Sequence, residues 1–203
     1  MKGKGLTLLE ILVALAVFAI FTTVLLTFTQ TTLASNRLAR TQAQLMEELK
    51  DAAGYVADTL QEAKAVLASA TINGSSCSPP SCLVALIPDG TNCNLRAYRL
   101  EARSSIANDF KAPDPWADVN TRMLREYRLT GQSCTGTSFS NAQPYVVLDL
   151  VDTYDSPGFF AISSNPLRVT LNIRLKASVG SRILSVPAQG QFYTITIYPR
   201  NAQ

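Results

Sequence analysis

The sequence predicts an α+β protein in which one long N-terminal helix packs on an antiparallel β-sheet, and three observations carry that expectation. Helix breakers are missing from the first third: all ten prolines lie at Pro79 or later, and Gly54 is the only glycine between Leu6 and Asn73. Beyond that point the prolines, most of the glycines and all four cysteines punctuate short apolar runs of the kind that form strands and turns. Finally, Leu167, Val169, Leu171, Ile173 and Leu175 alternate with Arg168, Thr170, Asn172, Arg174 and Lys176, the period of a sheet with one face covered and one wet. At 203 residues the length suits one domain with an appendage.

The N-terminal element comes first. Lys2 and Lys4 precede residues 6–28, where Glu10 is the one ionisable side chain, and the next charge is Arg37. Residues 11–36 are 26 uncharged residues, more than the roughly 20 a helix needs to cross a hydrocarbon core. The two lysines predict a cytoplasmic N-terminus and an outward C-terminal domain. A secretory signal peptide would also carry basic residues, an apolar run and small residues such as Thr32 and Ala34 before a cut. This run, however, exceeds the usual stretch of about 7 to 15 residues. A plain anchor leaves Glu10 unexplained, because a carboxylate inside a spanning helix costs about 2.5 to 3.5 kcal/mol on insertion scales.

Past Arg37 the pattern turns amphipathic. Leu38, Leu45, Leu49, Ala52, Val56, Leu60, Ala63 and Leu67 recur mostly at three or four, and charged residues take the other faces. The expected organisation is residues 1–5 as a leader, 6–32 as a membrane helix, 33–72 as its amphipathic continuation and 73–203 as a β-rich domain. Thr22, Thr23, Thr27, Thr29, Thr31 and Thr32 are weaker helix formers, so loosening or a bend is expected there, with threonines back-bonding inside a membrane helix as the equal alternative. The loop from Gly74 to Cys82 ends the helix. Strands are expected at 83–87, 95–103, 122–129, 145–151, 159–162, 167–176, 183–186 and 192–198, joined antiparallel by short turns, with the helix covering one face.

Composition excludes several chemistries. With no histidine, Ser-His-Asp and Cys-His catalysis and histidine-ligated metals are ruled out. No phosphate loop or nucleophile elbow occurs, and no cofactor is expected. A membrane-tethered hydrolase would need paired carboxylates in a cleft, and the reading is therefore of a non-enzyme. The net charge of +3 argues against a strongly basic nucleic-acid binder. Arg96, Arg99 and Arg103, and likewise Arg122, Arg125 and Arg128, read as exposed charge ahead of a DNA patch. Cys77, Cys82, Cys93 and Cys134 sit in the outward domain, an oxidising compartment, so two disulfides are expected. Cys77 with Cys82 is the local choice, leaving Cys93 with Cys134, although three connectivities are open. A four-thiolate zinc site is the alternative, and the spacing lacks paired knuckles.

The string from Gly5 through Leu6, Thr7, Leu8, Leu9 and Glu10 to Leu15 resembles the class III signal of type IV prepilins and type II secretion pseudopilins. The resemblance implies cleavage by prepilin peptidase between Gly5 and Leu6, N-methylation of Leu6, and Glu10 as the fifth mature residue, pairing with the new α-amine of a neighbouring subunit. Leu6 departs from the family's usual phenylalanine, which bears on methylation. Loss of Lys2 and Lys4 with the leader takes the side-chain charge from +3 to +1. Thr27 stands where many major pilins have proline, which favours a minor pilin or pseudopilin. The segment from Asp51 to Tyr55 and the ending Pro199-Arg200-Asn201 are similar to larger minor pilins of the PilW type and J-type pseudopilins. The resemblance implies a pilin-like fold and a structural subunit that helps initiate or cap a type IV pilus; a type II secretion pseudopilin and a competence pilin touching DNA are alternatives. Its implied partners are other pilins or pseudopilins through the N-terminal helix, prepilin peptidase, an inner-membrane assembly platform and membrane lipid. Some pseudopilins bind calcium, and Asp149, Asp152 and Asp155 are the oxygen ligands this chain would offer. They lack a compact ligand loop and read instead as a solvated strand end and turn.

Overall fold

The computed structural model describes residues 8–154 and 156–201. Helix α1 runs Leu8–Gln61, and the chain parts within it, after Thr41, into two compact units. In the first unit the helix is unbroken through the threonines. Of the two readings the structure shows the back-bonded one: Thr22, Thr23, Thr27, Thr29 and Thr32 each donate to the carbonyl four residues back at 2.8 to 2.9 Å. These hydroxyls find partners inside the helix.

In the second unit α1 buries Leu45, Leu49, Ala52, Ala53, Val56, Ala57 and Leu60, the three-and-four spacing of one face. They share a core with Leu83, Ala85, Tyr98, Leu124, Leu148 and Leu171. Each leucine fully buried there contributes about 1.5 to 3 kcal/mol, so packing holds this half of the helix to the sheet.

The helix stops at Gln61, eleven residues short of the expected end at 72. Residues 62–68 are good helix formers by composition, but Lys64 N–H donates to Leu86 O at 2.8 Å and Ala65–Leu67 becomes strand β1. Ala70–Ile72 is strand β2. Pairing to the sheet outweighs an intrinsic preference worth only tenths of a kcal/mol per residue.

The main sheet has seven strands in the order β1-β4-β5-β6-β8-β11-β12: Ala65–Leu67, Cys82–Asp89, Asn92–Ala102, Thr121–Gln132, Gln143–Asp152, Leu175–Val179 and Arg182–Val186. All its pairings are antiparallel. Between β5 and β6 the chain makes two 3-10 turns and helix α2, Pro115–Asn120. A second sheet orders β13 (Tyr193–Ile197), β10 (Leu167–Ile173) and β9 (Phe160–Ser164). The third joins β3 (Ser75–Cys77), β2 and β7 (Ser138–Phe139), with β2 and β7 parallel.

The β1-β4-β5 end of the main sheet is covered on both faces, where one wet face was expected. Leu83, Ala85 and Tyr98 face the helix-side core. Their neighbours Val84, Leu86, Leu95 and Ala97 fill a second core with Ile72 and Phe139 of the third sheet, as strand alternation requires. The run 167–176 is not one strand either. It divides at Arg174 into β10 and β11, which belong to different sheets, and Asn172 is buried, bonding Gly158 O and accepting from Thr194.

Candidate functional site

Of the residues singled out at the N-terminus, Gly5 and Leu6 lie outside the described residues, as does Asp155. Glu10 lies in the first turn of α1, where the helix dipole favours an acid. Around it the apolar side chains are exposed on every side of the helix: Leu8 by 79%, Phe18 by 67% and Phe28 by 69%. So large an apolar surface marks a lipid or protein contact. By length and composition α1 can cross a membrane.

The cysteines of the second unit are all bonded: Cys77 to Cys82, and Cys93 to Cys134. This is one of the three connectivities open to the sequence, and it consumes the thiolates a zinc site would need. Of the arginines read as exposed charge, Arg103 and Arg125 are instead built into the domain, while Arg96, Arg99, Arg122 and Arg128 stay partly exposed. Arg103 is 1% exposed. Its Nε donates to Asp149 at 2.9 Å, its Nη1 to Asp118 at 2.5 Å and its Nη2 to Ala112 O at 2.7 Å. Lys111 adds a bond to Asp118 at 2.9 Å and one to Arg103 O at 2.8 Å. The cluster fastens the excursion between β5 and β6 to β8. Burial works against the Arg103 charge, but the bonds to Asp149 and Asp118 hold its pKa above the ordinary value. Asp118 is held below the usual carboxylate range, first by the Lys111 hydrogen bond and, against some desolvation, by Arg103.

Of the weak calcium candidates, two lie among the described residues, and both are engaged in ion pairs. Asp149 accepts from Arg103, and Asp152 accepts from Arg174 at 2.6 Å with Lys176 at 3.7 Å. Each carboxylate already has a guanidinium as its counter-charge. Among the described residues no three acids or thiols gather in a metal-binding group.

A second network, absent from the sequence reading, joins α1 to the sheet. Glu126 on β6 is wholly buried. Its Oε2 accepts from Tyr55 Oη at 2.8 Å and Arg128 Nε at 2.6 Å, and its Oε1 accepts from Arg96 Nη1 at 3.2 Å and Tyr98 Oη at 3.4 Å. Arg128 Nη2 closes the ring by donating to Tyr55 Oη at 2.9 Å. Burial, followed by the bond to Glu126, raises the Tyr55 pKa. The arginine guanidinium of residue 128 rests over the Tyr145 ring, 4.3 Å from its centroid. Legible signals existed: Glu126 shares the strand period of Leu124, and Tyr55 ends the segment already noted for its likeness to minor pilins.

On the opposite face Glu101 accepts from Arg125 at 2.9 Å and from the Tyr127 hydroxyl. Burial, then that bond, pushes the Tyr127 pKa up to about 12. The C-terminal tail also has a defined role. Arg200 N–H donates to Gln61 O at 2.9 Å, and Asn201 Nδ2 to Glu62 O at 3.2 Å. These carbonyls would otherwise be orphaned at the end of α1.

Residues 1–26 match the family described as the prokaryotic N-terminal methylation motif. This segment is a type IV prepilin-like class III signal, supports a pilin- or pseudopilin-type substrate of prepilin peptidase, and points to a structural subunit rather than an enzyme. Together with the apolar helix it fits a membrane-anchored pilin. No curated protein and no solved structure matches the chain.

Proposed function

We propose that the chain is a minor pilin-like subunit that prepilin peptidase cuts between Gly5 and Leu6 and that helps initiate or cap a type IV pilus. The observation that carries this reading is the methylation motif over residues 1–26, with Glu10 the one charge in the apolar stretch of residues 6–36. Cutting creates an α-amine at Leu6, cationic near neutral pH with a reference pKa of about 8. Glu10 of a neighbouring subunit offsets the burial of that charge in an apolar helical bundle, where either group alone is costly. Leu6 is the residue methylated. The apolar half of α1 inserts among the helices of other subunits, and the disulfide-bonded domain faces the periplasm or the cell surface. The inner-membrane assembly platform and lipid are the other partners.

Mass analysis of the mature N-terminus tests the cut: a chain beginning at Leu6 is expected, and a mature chain still beginning at Met1 sinks the assignment. Glu10→Val is expected to be cut normally yet to fail to enter filaments, and its incorporation at the normal level would refute the pairing role. Thr27, where many major pilins carry proline, equally favours a type II secretion minor pseudopilin. Loss of surface pili on deletion supports the first reading, and loss of secretion with pili intact supports the second.

A further inference from the structure

We propose that Arg96 and Arg128 form a preorganised site for one carboxylate, supplied in the assembled state by an acidic side chain of a neighbouring subunit. The two arginines are direct cross-strand partners on β5 and β6. Like charges so placed repel, yet here one carboxylate, the wholly buried Glu126, holds both. Two guanidiniums and one carboxylate leave one positive charge over. The anchoring also fixes the forks: Arg128 is held through Nε and Nη2, and Arg96 through Nη1. The remaining donors, Arg128 Nη1 and Arg96 Nε and Nη2, are not buried without partners, and the two side chains are 39% and 29% exposed.

These groups line a groove of about 310 Å³ whose walls include Tyr145, Gln143, Asn94 and Thr130 and no acidic residue. Arg128 also borders a separate groove that carries the acids Glu48, Asp51 and Asp149, which disfavours an anion there and leaves the arginine-lined side as the one open to it. Planar guanidinium donors in fixed positions suit a carboxylate, which accepts two parallel bonds. Buried ion networks of this type seldom outdo apolar packing for stability alone, and a poised recognition site gives the arrangement a use. A single surplus charge does not suit nucleic acid, which is held by several phosphate contacts at once. Only the source of the carboxylate rests on the filament-subunit reading; the chemistry of the groove does not.

The test uses the full chain in detergent micelles with 15N-labelled arginine. Acetate, inorganic phosphate and a blocked peptide carrying one glutamate are titrated at constant ionic strength, and the arginine Nε–H resonances are followed. The expected result is saturable shifts of Arg96 and Arg128 with one shared Kd for acetate, tighter binding of the peptide, and no saturation at the exposed Arg182. Arg96→Lys, which keeps the charge and a donor to Glu126, is expected to weaken binding about tenfold, the loss of one charge-assisted bond. Unsaturable shifts, equal response at Arg182, or unchanged affinity in Arg96→Lys would overturn the proposal. Phosphate or a short single-stranded oligonucleotide binding more tightly than the glutamate peptide would overturn the choice of carboxylate. Since N-terminal mass decides the processing reading independently, failure of one does not imply failure of the other.

Discussion

Glu126→Gln tests the link between α1 and the sheet most directly. The substitution keeps the side-chain shape, removes the charge and turns one accepting oxygen into a donor. The amide is expected to keep its oxygen on the Tyr55 and Arg128 side, where the bonds are 2.8 and 2.6 Å. Its NH2 then faces Arg96 and Tyr98, so the Arg96 bond is lost and the Tyr98 hydroxyl must change from donor to acceptor to keep a partner. Arg96 is partly exposed and can turn to water, whereas Tyr98 is fully buried. A bond to a charged group contributes about 1.5 to 3 kcal/mol, and breaking a buried ion network costs about 3 to 5 kcal/mol. About 3 kcal/mol of destabilisation follows. In a chain of this size that lowers Tm by about 6 to 12 °C. The assay is thermal and urea unfolding of the full chain in detergent, followed by the fluorescence of the single tryptophan, Trp116, in α2. Adding Arg96→Gln should cost less in the Glu126→Gln background than in the parent, with a coupling of at least about 1 kcal/mol. A loss below about 1 kcal/mol, or strict additivity of the two substitutions, would refute the view that one buried carboxylate anchors both strands to the helix.

Other outcomes are as specific. Replacing Cys93 and Cys134 together by alanine opens a closure spanning 41 residues and is expected to cost about 4 kcal/mol, against about 2 kcal/mol for Cys77 with Cys82; urea midpoints of the two double variants should rank in that order. Tyr127, with a folded pKa near 12 against an ordinary value near 10, favours the protonated folded state. Its contribution, on the order of 2 to 3 kcal/mol, is fully present below about pH 10 and is lost as pH rises through about 12. Tyr127→Phe should flatten that part of the alkaline stability profile, and an unchanged profile would assign the loss to other groups. Truncation after Tyr198 removes both donors to the end of α1 and is expected to cost about 1 to 2 kcal/mol, with faster amide exchange in the last turn as the direct readout.

Much of the architecture was legible because it depends on period and punctuation. The absence of proline and glycine marks α1, and each expected strand coincides with an observed one or, for 167–176, with the pair β10 and β11. The missed elements β1, β2, β3 and β7 are two or three residues long, too short for alternation to register. One had a sharper signal: Asn73 and Gly74 both adopt positive φ between β2 and β3, the turn chemistry of a tight hairpin. Asn73 also bonds both backbone groups of Ala142, a contact that depends on residues 69 positions away and leaves no trace in local sequence. The end of α1 was misplaced for a related reason, since the partner that claims Lys64 is Leu86.

The arginines show where sequence reading loses its grip. An arginine on a strand is equally consistent with solvent and with a buried fork, and the choice depends on whether a carboxylate on another strand or excursion reaches it. Arg103 finds Asp118 and Asp149, and Arg174 finds Asp152. Arg96 and Arg128 find the same Glu126. The two parts of the chain handle charge differently. One stretch of helix has almost no charge to spend, as an apolar environment demands. The folded domain carries most of the charges and commits many of them to internal pairs. Long-range fields and net charge then say little about what this domain meets, and specificity passes to the few places where pairing is incomplete. The cross-strand pair of Arg96 and Arg128, two cations sharing one buried acid, is such a place.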